Sequence, residues 1–280
     1  MSIKLKVYKF FVNVLKQGVE FFGRSKATHI YASLIEELSP VLMTDTPSGM
    51  IKFFCPNRVI EWRANTLLTK EPETIEWIDT FANNETLWDI GANIGVYSLY
   101  AALKGLRVLA FEPAACNYYI LNKNIEINKM SDRISSFCFA FNDLTKIDNF
   151  YMSNVEFGGA EHVFAQEIDW KGEKFLPVFK QATIGFTMDE FIDYFNPQFP
   201  NYIKIDVDGI EDKIIKGAYK TLKDDRVKSI LVELNIAKKE VYNEITDILK
   251  NAGFSLVKRS HSPDFDNTKY SDIYNCIFSR

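Results

Sequence analysis

The sequence predicts a doubly wound α/β fold, a mostly parallel sheet with helices on both faces. Short apolar runs typical of strands alternate with helical periodicity from residue 86 to the C terminus, which is the pattern of consecutive βαβ units. The composition, 47% hydrophobic and 25% charged, is that of a globular chain. The length of 280 residues allows one large or two modest domains, each with a buried core.

Residues 1–26 predict a cationic amphipathic helix. They carry six Lys and Arg residues against one acid, Glu20, and their apolar residues recur at steps of three and four from Leu5 to Phe22. Such a helix either rests on an anionic membrane surface or packs on the domain or a second subunit. We favour packing, because lysines on a packed helix are simply solvated.

Two β-rich runs flank the Pro56-Asn57 turn and predict a hairpin between residues 48 and 64. The helix and the hairpin together form a predicted N-terminal extension, residues 1–70. The main domain is then expected to occupy residues 71–280.

The main domain alternates strands and helices. Strands are expected at 87–90, 107–111, 134–141, 202–207, 227–234, 254–257 and 273–278, and helices at 96–103, 114–128, 187–195, 211–222 and 238–251. No helix separates the last two strands, which predicts an antiparallel hairpin at the sheet edge. The alternation lapses in an insertion at about residues 142–186, where a long loop would set substrate specificity.

Charge and cysteine usage exclude several classes of protein. The net charge of -4 argues against a protein that coats nucleic acid. Four widely spaced cysteines give neither a zinc motif nor a disulfide framework and indicate a reducing compartment. There is no charge-free apolar run of membrane-spanning length and no signal-peptide pattern. We therefore expect a cytoplasmic protein, peripheral to the inner membrane face if its first helix binds there.

The run from Asp89 to Gly95 closes the first strand of the sheet and opens a helix, where open α/β sheets bind ligands. Gly91 would let the backbone approach a ligand, and the helix N terminus offers free N–H donors. Asn93 and Val96 stand where a dinucleotide fingerprint needs its second and third glycines. This departure counts against a site for NAD.

Glu112 ends the second strand, 21 residues after Gly91. A carboxylate there can accept both hydroxyls of an adenosine ribose. A turn that suits a nucleoside but not a diphosphate favours S-adenosylmethionine, whose amino group Asp89 would face. The alternative is that Glu112 caps a helix and Gly91 serves a tight turn.

A third acidic motif, Ile203 to Glu211, also closes a strand and opens a helix. Lys204, Asp206 and Asp208 alternate along it and would share one face. Together with Glu233 and Asn235 at the end of the next strand, Asp206 would supply oxygen ligands that suit Mg²⁺. The competing interpretation is helix capping by Asp208 and Glu211.

The ordered motifs WDIGANIGVYS, AFEP, IKIDVDGIE and LVELN, preceded by KEPETIEWID, resemble the FkbM family of S-adenosylmethionine-dependent methyltransferases. The resemblance runs from about Glu71 to Asn235 and implies a class I methyltransferase fold and methyl transfer, usually to a hydroxyl oxygen. It implies that the cofactor is held by Asp89, Gly91, Asn93, Gly95, Glu112 and Asn117. Asp206 would face the transferred methyl group. Asp208 stands where many members have Glu, which shortens the reach of that carboxylate.

In folds of this class the third strand leads to the adenine amino group, which here implies Asn142 and Asp143, although Asn-Asp also favours plain turns. His162, in the insertion, is a candidate base for an acceptor hydroxyl, since imidazole titrates near neutrality. A surface histidine is the simpler interpretation.

The predicted activity is O-methylation of a sugar, glycan or secondary-metabolite hydroxyl by SN2 transfer. Asp206, with or without magnesium, would lower the pKa of that hydroxyl or accept its proton. The alternatives are a methyltransferase-like binding module without turnover and an NAD-dependent oxidoreductase. A nucleic-acid substrate is not expected.

Overall fold

The computed structural model describes residues 3–168, 171–262 and 265–280, and side chains from residue 6 onward within them. The first two residues of the predicted N-terminal helix, and the side chain of Leu5 on its apolar face, therefore lie outside the described residues. The chain divides between Val41 and Leu42 into two compact units, which are described separately.

The first unit is a pair of helices, α1 (Ile3–Glu20) and α2 (Arg24–Leu38). Gly23 separates them with a φ of 84°, a conformation that glycine adopts without strain. The single helix expected over residues 1–26 is thus interrupted there. In the described part of the chain, no helix is both long and apolar enough to cross a membrane.

The second unit contains thirteen described strands and eight described helices. The strands are β1 (Val41–Thr46), β2 (Gly49–Phe54), β3 (Thr86–Ile90), β4 (Arg107–Phe111), β5 (Ile134–Phe137), β6 (Ala140–Phe141), β7 (Lys146–Met152), β8 (His162–Phe164), β9 (Phe179–Phe186), β10 (Tyr202–Ile205), β11 (Ser229–Asn235), β12 (Ser255–Ser260) and β13 (Ile273–Ser279). The helices are α3 (Arg58–Asn65), α4 (Pro72–Asp79), α5 (Val96–Leu103), α6 (Ala115–Ile127), α7 (Met188–Phe195), α8 (Glu211–Lys216), α9 (Tyr219–Lys223) and α10 (Lys239–Asn251).

The central sheet has the strand order β12-β13-β11-β10-β3-β4-β5. Strands β5, β4, β3, β10 and β11 are parallel, whereas β13 is antiparallel to both β11 and β12. The order reverses between β3 and β10, which is where a crevice opens at the carboxyl ends of the strands. The predicted doubly wound sheet with an antiparallel edge hairpin is confirmed.

Both faces of this sheet are buried. Along β4, Leu109 and Phe111 belong to one core cluster, and Val108 and Ala110 to the other. Because neighbouring residues of a strand point to opposite faces, each cluster lies on its own side of the sheet. The first cluster includes α7, where Phe191 packs against Phe111 at a ring distance of 5.7 Å.

The hairpin predicted around Pro56-Asn57 is wrong in its second strand. The hairpin is formed by β1 and β2, and the run after Asn57 is helix α3. The Asn57 side chain accepts a hydrogen bond from the Ile60 backbone N–H at 3.0 Å and so caps that helix. Ile60 and Ala64, four residues apart, are its buried positions.

The compact units divide at residue 41, whereas the sequence predicts a boundary near residue 70. Ile51, Phe53 and Ile60 are fully buried and belong to the same core cluster as Leu87 of the central sheet. The hairpin and α3 therefore form part of the larger core.

The insertion expected as a long loop contains strands. Strands β6, β9, β7 and β8 form a four-stranded sheet in that order, with β7 antiparallel to β8 and to β9. Much of β9 is exposed, so it lacks the continuous apolar run that marks a buried strand. The turn between β7 and β8 carries Gly158 and Gly159.

Candidate active site

A cavity of about 260 Å³, called the first cavity below, opens at the carboxyl ends of β3, β4, β10 and β11. Its remaining walls come from the insertion, including Gly159 to His162, and from the stretch that holds Phe265 and Tyr270. This is the place where the strand order reverses. Seven residues predicted from the sequence meet here, namely Gly91, Asn93, Glu112, Asn117, His162, Asp206 and Glu233.

Gly91 allows β3 and β10 to meet at the cavity. Its φ is 83°, and a Cβ atom there would lie 1.9 Å from the carbonyl oxygen of Asp206. The backbone N–H groups of Gly91 and Ala92 both donate to the Phe111 carbonyl at 3.0 Å. The close approach of the two backbones is by itself enough to require a glycine at this position.

Glu112 is buried in the cavity wall with both carboxylate oxygens engaged. Oε2 accepts a hydrogen bond from the Asn93 N–H and Oε1 one from the Ala114 N–H, each at 2.8 Å. Burial raises the pKa of Glu112 to about 7, against the lowering effect of these two bonds. Each oxygen retains a lone pair that could accept a ligand hydroxyl.

The side chains of Asn93 and Asn117 fasten the turn between β7 and β8. Both amide groups donate to the Gly159 carbonyl, at 2.8 and 3.1 Å, and the Asn117 Oδ1 accepts from the Gly158 N–H at 2.8 Å. Arg63 Nε also donates to the Gly158 carbonyl at 2.8 Å. Sequence reasoning missed this contact, because nothing in the local pattern indicates that the insertion folds back. The Asn93 Oδ1 is buried and has no hydrogen-bond partner in the described structure.

Five other predicted residues do not line the first cavity. Asp89 is fully buried behind it, where Ser98 Oγ donates to its carboxylate at 2.6 Å. Gly95 packs against Leu121 at the start of α5. The remaining three are Asn142, Asp143 and Asn235.

A buried ionic network lies beside Asp206. The Lys204 ammonium is 1% exposed and contacts the Asp206 carboxylate at 2.5 Å. Burial lowers the pKa of Lys204, but Asp206, Asp89 and Glu71 together raise it above its ordinary value. Sequence reasoning placed Lys204 on the same face as Asp206 but assigned it no role.

Glu71 extends this network to the cavity wall. It accepts hydrogen bonds from Lys70 at 2.5 Å and from the Tyr97 hydroxyl at 2.8 Å. Although burial opposes it, the charges of Lys70 and Lys204 lower the pKa of Glu71 to about 2. The run KEPETIEWID, which contains Glu71, is the sequence signal that pointed to this region.

The predicted magnesium site is not supported. Asp206 is already paired with Lys204, and the Asn235 Oδ1 accepts from the Ala237 N–H at 3.0 Å. Among the residues that the structure describes, no group of three or more His, Cys, Asp or Glu side chains is arranged to hold a metal ion. Glu233 does line the first cavity, where burial and the charges of Asp206 and Glu71 raise its pKa well above the ordinary value.

His162 is buried in the wall of the first cavity, so the interpretation of His162 as a surface histidine is wrong. Its backbone N–H donates to Asp208 at 3.0 Å, and its Nδ1 accepts from the Ser153 N–H at 3.3 Å. Burial lowers the pKa of the imidazole to about 4, so the ring is neutral at pH 7. An accepting Nδ1 leaves the proton on Nε2, which favours a hydrogen-bond donor over a base.

Comparisons with known proteins find methyltransferases. Residues 89–256 match the family described as Methyltransferase FkbM domain. The hexuronic acid methyltransferase AglP of Haloferax volcanii is 22% identical over 221 residues, covering 78% of this chain and 84% of that protein.

The solved structures to which the chain is similar include two methyltransferases. One is the precorrin-6y C5,15-methyltransferase of Geobacter metallireducens, with 13% identity, a TM-score of 0.45 and coverage of 78% of this chain and 92% of that one. The other is Sp1610 of Streptococcus pneumoniae, a putative tRNA (m1A22) methyltransferase in complex with S-adenosyl-L-methionine, with 12% identity, a TM-score of 0.42 and coverage of 74% and 72%.

Proposed function

The chain belongs to the FkbM methyltransferase family, and on that premise we propose that it is an S-adenosylmethionine-dependent O-methyltransferase that modifies a sugar hydroxyl. Its doubly wound sheet is that of a class I methyltransferase. The observation that carries the proposal is the meeting of Gly91, Glu112 and Asp206 in one cavity where the strand order reverses.

The residues of the first cavity suit S-adenosylmethionine. Apolar side chains that include Phe139, Phe141 and Ile210 offer a surface for the adenine. The Glu112 carboxylate would accept the ribose hydroxyls, and the unpartnered Asn93 Oδ1 is a further acceptor. The lining holds five acids against two bases, Arg63 and Lys70, which favours a ligand with a positively charged centre.

When bound, the cofactor supplies an electrophilic methyl group on a sulfonium. The chain then has to align the acceptor oxygen with that group, and alignment is worth several kcal/mol in reactions of this kind, on the order of 7 or more. Lys204 fixes the Asp206 carboxylate at the end of β10. Asn93 and Asn117 hold the Gly158-Gly159 turn against the cavity, where it limits the access of water.

A sugar is the favoured acceptor because AglP, which is similar to this chain over most of the length of both, is a hexuronic acid methyltransferase. His162 would contact the acceptor as a donor through Nε2. Asn142 and Asp143 follow β6 and do not line the first cavity. They would contact the adenine only if the bound cofactor extends beyond that cavity.

The test is calorimetric titration with S-adenosylhomocysteine, first of the wild-type chain and then of Glu112→Ala. We expect micromolar binding by the wild type and a loss of at least about tenfold in the variant, since each ribose hydroxyl would lose its acceptor. Glu126→Ala, an exposed acid on α6, is the matched control. Binding of NADH without a response to S-adenosylhomocysteine would contradict the proposal in favour of an oxidoreductase. Binding without turnover on any sugar would favour the non-catalytic module.

The first unit would bind a surface other than the methyltransferase unit of the same chain. Its exposed aromatic residues Phe10, Phe11, Phe21 and Phe22 accompany six Lys and Arg residues and three acids, Glu20, Glu36 and Glu37. An anionic membrane and a second copy of the chain both suit such a surface. Sedimentation with phosphatidylglycerol vesicles tests the first, and sedimentation velocity without lipid tests the second. The four free cysteine thiols support a cytoplasmic location.

A further inference from the structure

A second cavity of about 70 Å³ lies beside the first one. Five residues line both, and they form the wall between the two: Val207, Asp208, Glu233, Tyr270 and Ile273. The second cavity continues along the start of α8 and the start of α10, where Glu211, Lys238 and Tyr242 line it. Glu233 therefore borders a ligand in either cavity.

Glu233 is the acid at this wall that is not committed to another contact. In the described structure Asp206 is paired with Lys204, and Asp208 accepts the backbone N–H of His162. Glu112, further along the first cavity, accepts two backbone N–H groups. The Glu233 carboxylate has no hydrogen-bond partner among the described residues. The charges of Lys70, Glu71, Asp206 and Asp208 act on it.

A second unpartnered group lies in the wall of the first cavity. His162, 6% exposed, lines the first cavity, and its Nε2 has no hydrogen-bond partner in the described structure. Because its Nδ1 accepts from Ser153, Nε2 carries a proton. A buried donor without a partner is costly unless a ligand oxygen meets it.

The charges of the second cavity select among acceptors. It is lined by Asp208, Glu211, Asp212 and Glu233 against the single base Lys238. Burial and the neighbouring acids already raise the pKa of Glu211 to about 8 and that of Glu233 well above its ordinary value. A carboxylated or phosphorylated acceptor would add another negative charge to this crowded group, which is costly where water is limited. Hydroxyl groups and an amine would instead donate to them, and the ring of Tyr242 would offer a face for a sugar ring.

We propose that the second cavity receives the hydroxyl-bearing end of the acceptor, a sugar that is neutral or carries an amino group, and that Glu233 takes the proton of the hydroxyl that is methylated. This inference rests on the proposed methyl transfer, and it gives this chain an acceptor of different charge from the hexuronic acid in the name of AglP. In that step the acceptor oxygen forms a bond to the methyl carbon as the carbon–sulfur bond breaks. The bonding electron pair goes to sulfur, and the hydroxyl proton goes to Glu233, which acts in its ionised form, with the His162 Nε2–H donating to the same acceptor.

The acceptor class is tested with three probes on the full chain loaded with S-adenosylhomocysteine: methyl glucoside, methyl glucosaminide and methyl glucuronide. We expect calorimetry to show that the first two probes bind at least tenfold more tightly than the glucuronide. Transfer assays should rank the three probes in the same order by their rate of methylation. Tyr242→Ala should weaken sugar binding about tenfold and leave S-adenosylhomocysteine binding unchanged. Equal or tighter binding of the glucuronide overturns the charge argument. Cofactor binding with no response to any probe overturns the acceptor site.

The role of Glu233 is tested by Glu233→Gln, which keeps the size of the side chain. We expect kcat to fall at least about 100-fold, while KM for the sugar and the affinity for S-adenosylhomocysteine stay within threefold. Glu233→Asp should recover part of kcat, and Glu240→Gln, an exposed acid on α10 outside both cavities, should change nothing. An unchanged kcat in a folded Glu233→Gln variant overturns this role. Failure of the wild type to bind S-adenosylhomocysteine would instead overturn the proposed function itself.

Discussion

Glu112 shows how one side chain can oppose stability and serve binding at once. Its carboxylate is desolvated, which raises its pKa from 4.5 to about 7, although two backbone N–H groups donate to it. The folded state thus holds the Glu112 proton more tightly than the unfolded state does. The free energy of unfolding that this group contributes is present below pH 4.5 and is lost as the pH rises through about 7.

We therefore expect Glu112→Gln to be more stable than the wild type at pH 8. The shift corresponds to at most about 3 kcal/mol, and the amide can accept only one of the two N–H bonds, so the expected gain is about 1–2 kcal/mol. Urea unfolding at pH 5 and pH 8 measures it, with the difference between variant and wild type shrinking at pH 5. A variant less stable than the wild type at pH 8 would contradict this account.

At the same residue scale, cofactor affinity should depend on pH. A charged Glu112 accepts ribose hydroxyls better than a neutral one, so S-adenosylhomocysteine should bind more weakly as the pH falls through about 7. Calorimetry between pH 6 and pH 8 tests this, and the dependence should flatten in Glu112→Gln. If the wild type and Glu112→Gln showed the same pH dependence of affinity, that dependence would come from another acid of the cavity.

The residues that the sequence identified were those on strand ends, because the carboxyl ends of parallel strands must meet at one edge. Gly91, Glu112 and Asp206 could be predicted in this way. The bonds of Asn93 and Asn117 to the Gly158-Gly159 turn could not, since they join segments about 40–65 residues apart through a fold that no local pattern encodes. The donor character of His162 likewise depends on burial and on Ser153.

At the scale of elements, those of the central sheet were predictable because each has a buried face and a polar or glycine boundary. Helix α5 and strand β4 have the predicted ends, Val96–Leu103 and Arg107–Phe111. The insertion was not predictable, because β7 and β9 stabilise each other through pairing while much of β9 stays exposed. Helix α3 was missed because Asn57 caps a helix as readily as it makes a turn.

The turn between β3 and α5 provides the prediction at this scale. Gly91→Ala would force a Cβ atom to within 1.9 Å of the Asp206 carbonyl oxygen, at a φ that alanine disfavours. We expect a loss of at least about 3 kcal/mol in the free energy of unfolding and loss of S-adenosylhomocysteine binding. Gly18→Ala in α1, where a Cβ meets nothing within 4 Å, is the control and should not destabilise the protein. A Gly91→Ala variant of unchanged stability would show that β3 and β10 can separate at little cost.

At the scale of the whole molecule, the chain is a methyltransferase unit preceded by a pair of helices. Both large core clusters are built from residues after Leu42, and no described residue of the first unit belongs to either. The second unit thus has its own hydrophobic core.

Deletion of residues 1–38 should consequently leave a folded protein. We expect its melting temperature to lie within a few degrees of that of the full chain and its affinity for S-adenosylhomocysteine within about twofold, because β1 and the later elements are intact. Differential scanning calorimetry and titration measure both. Loss of folding would show that the helices support the larger core after all. Loss of vesicle sedimentation alone would place the membrane contact in the first unit.

The turn that Asn93, Asn117 and Arg63 fasten has a consequence for the timing of the reaction cycle. Any occupant of the first cavity that leaves beneath this turn has to wait until those hydrogen bonds open together. If that occupant is a spent cofactor, we expect the opening of these hydrogen bonds to set its residence time. A turnover limited in this way would show a rapid first round of methylation followed by a slower steady rate.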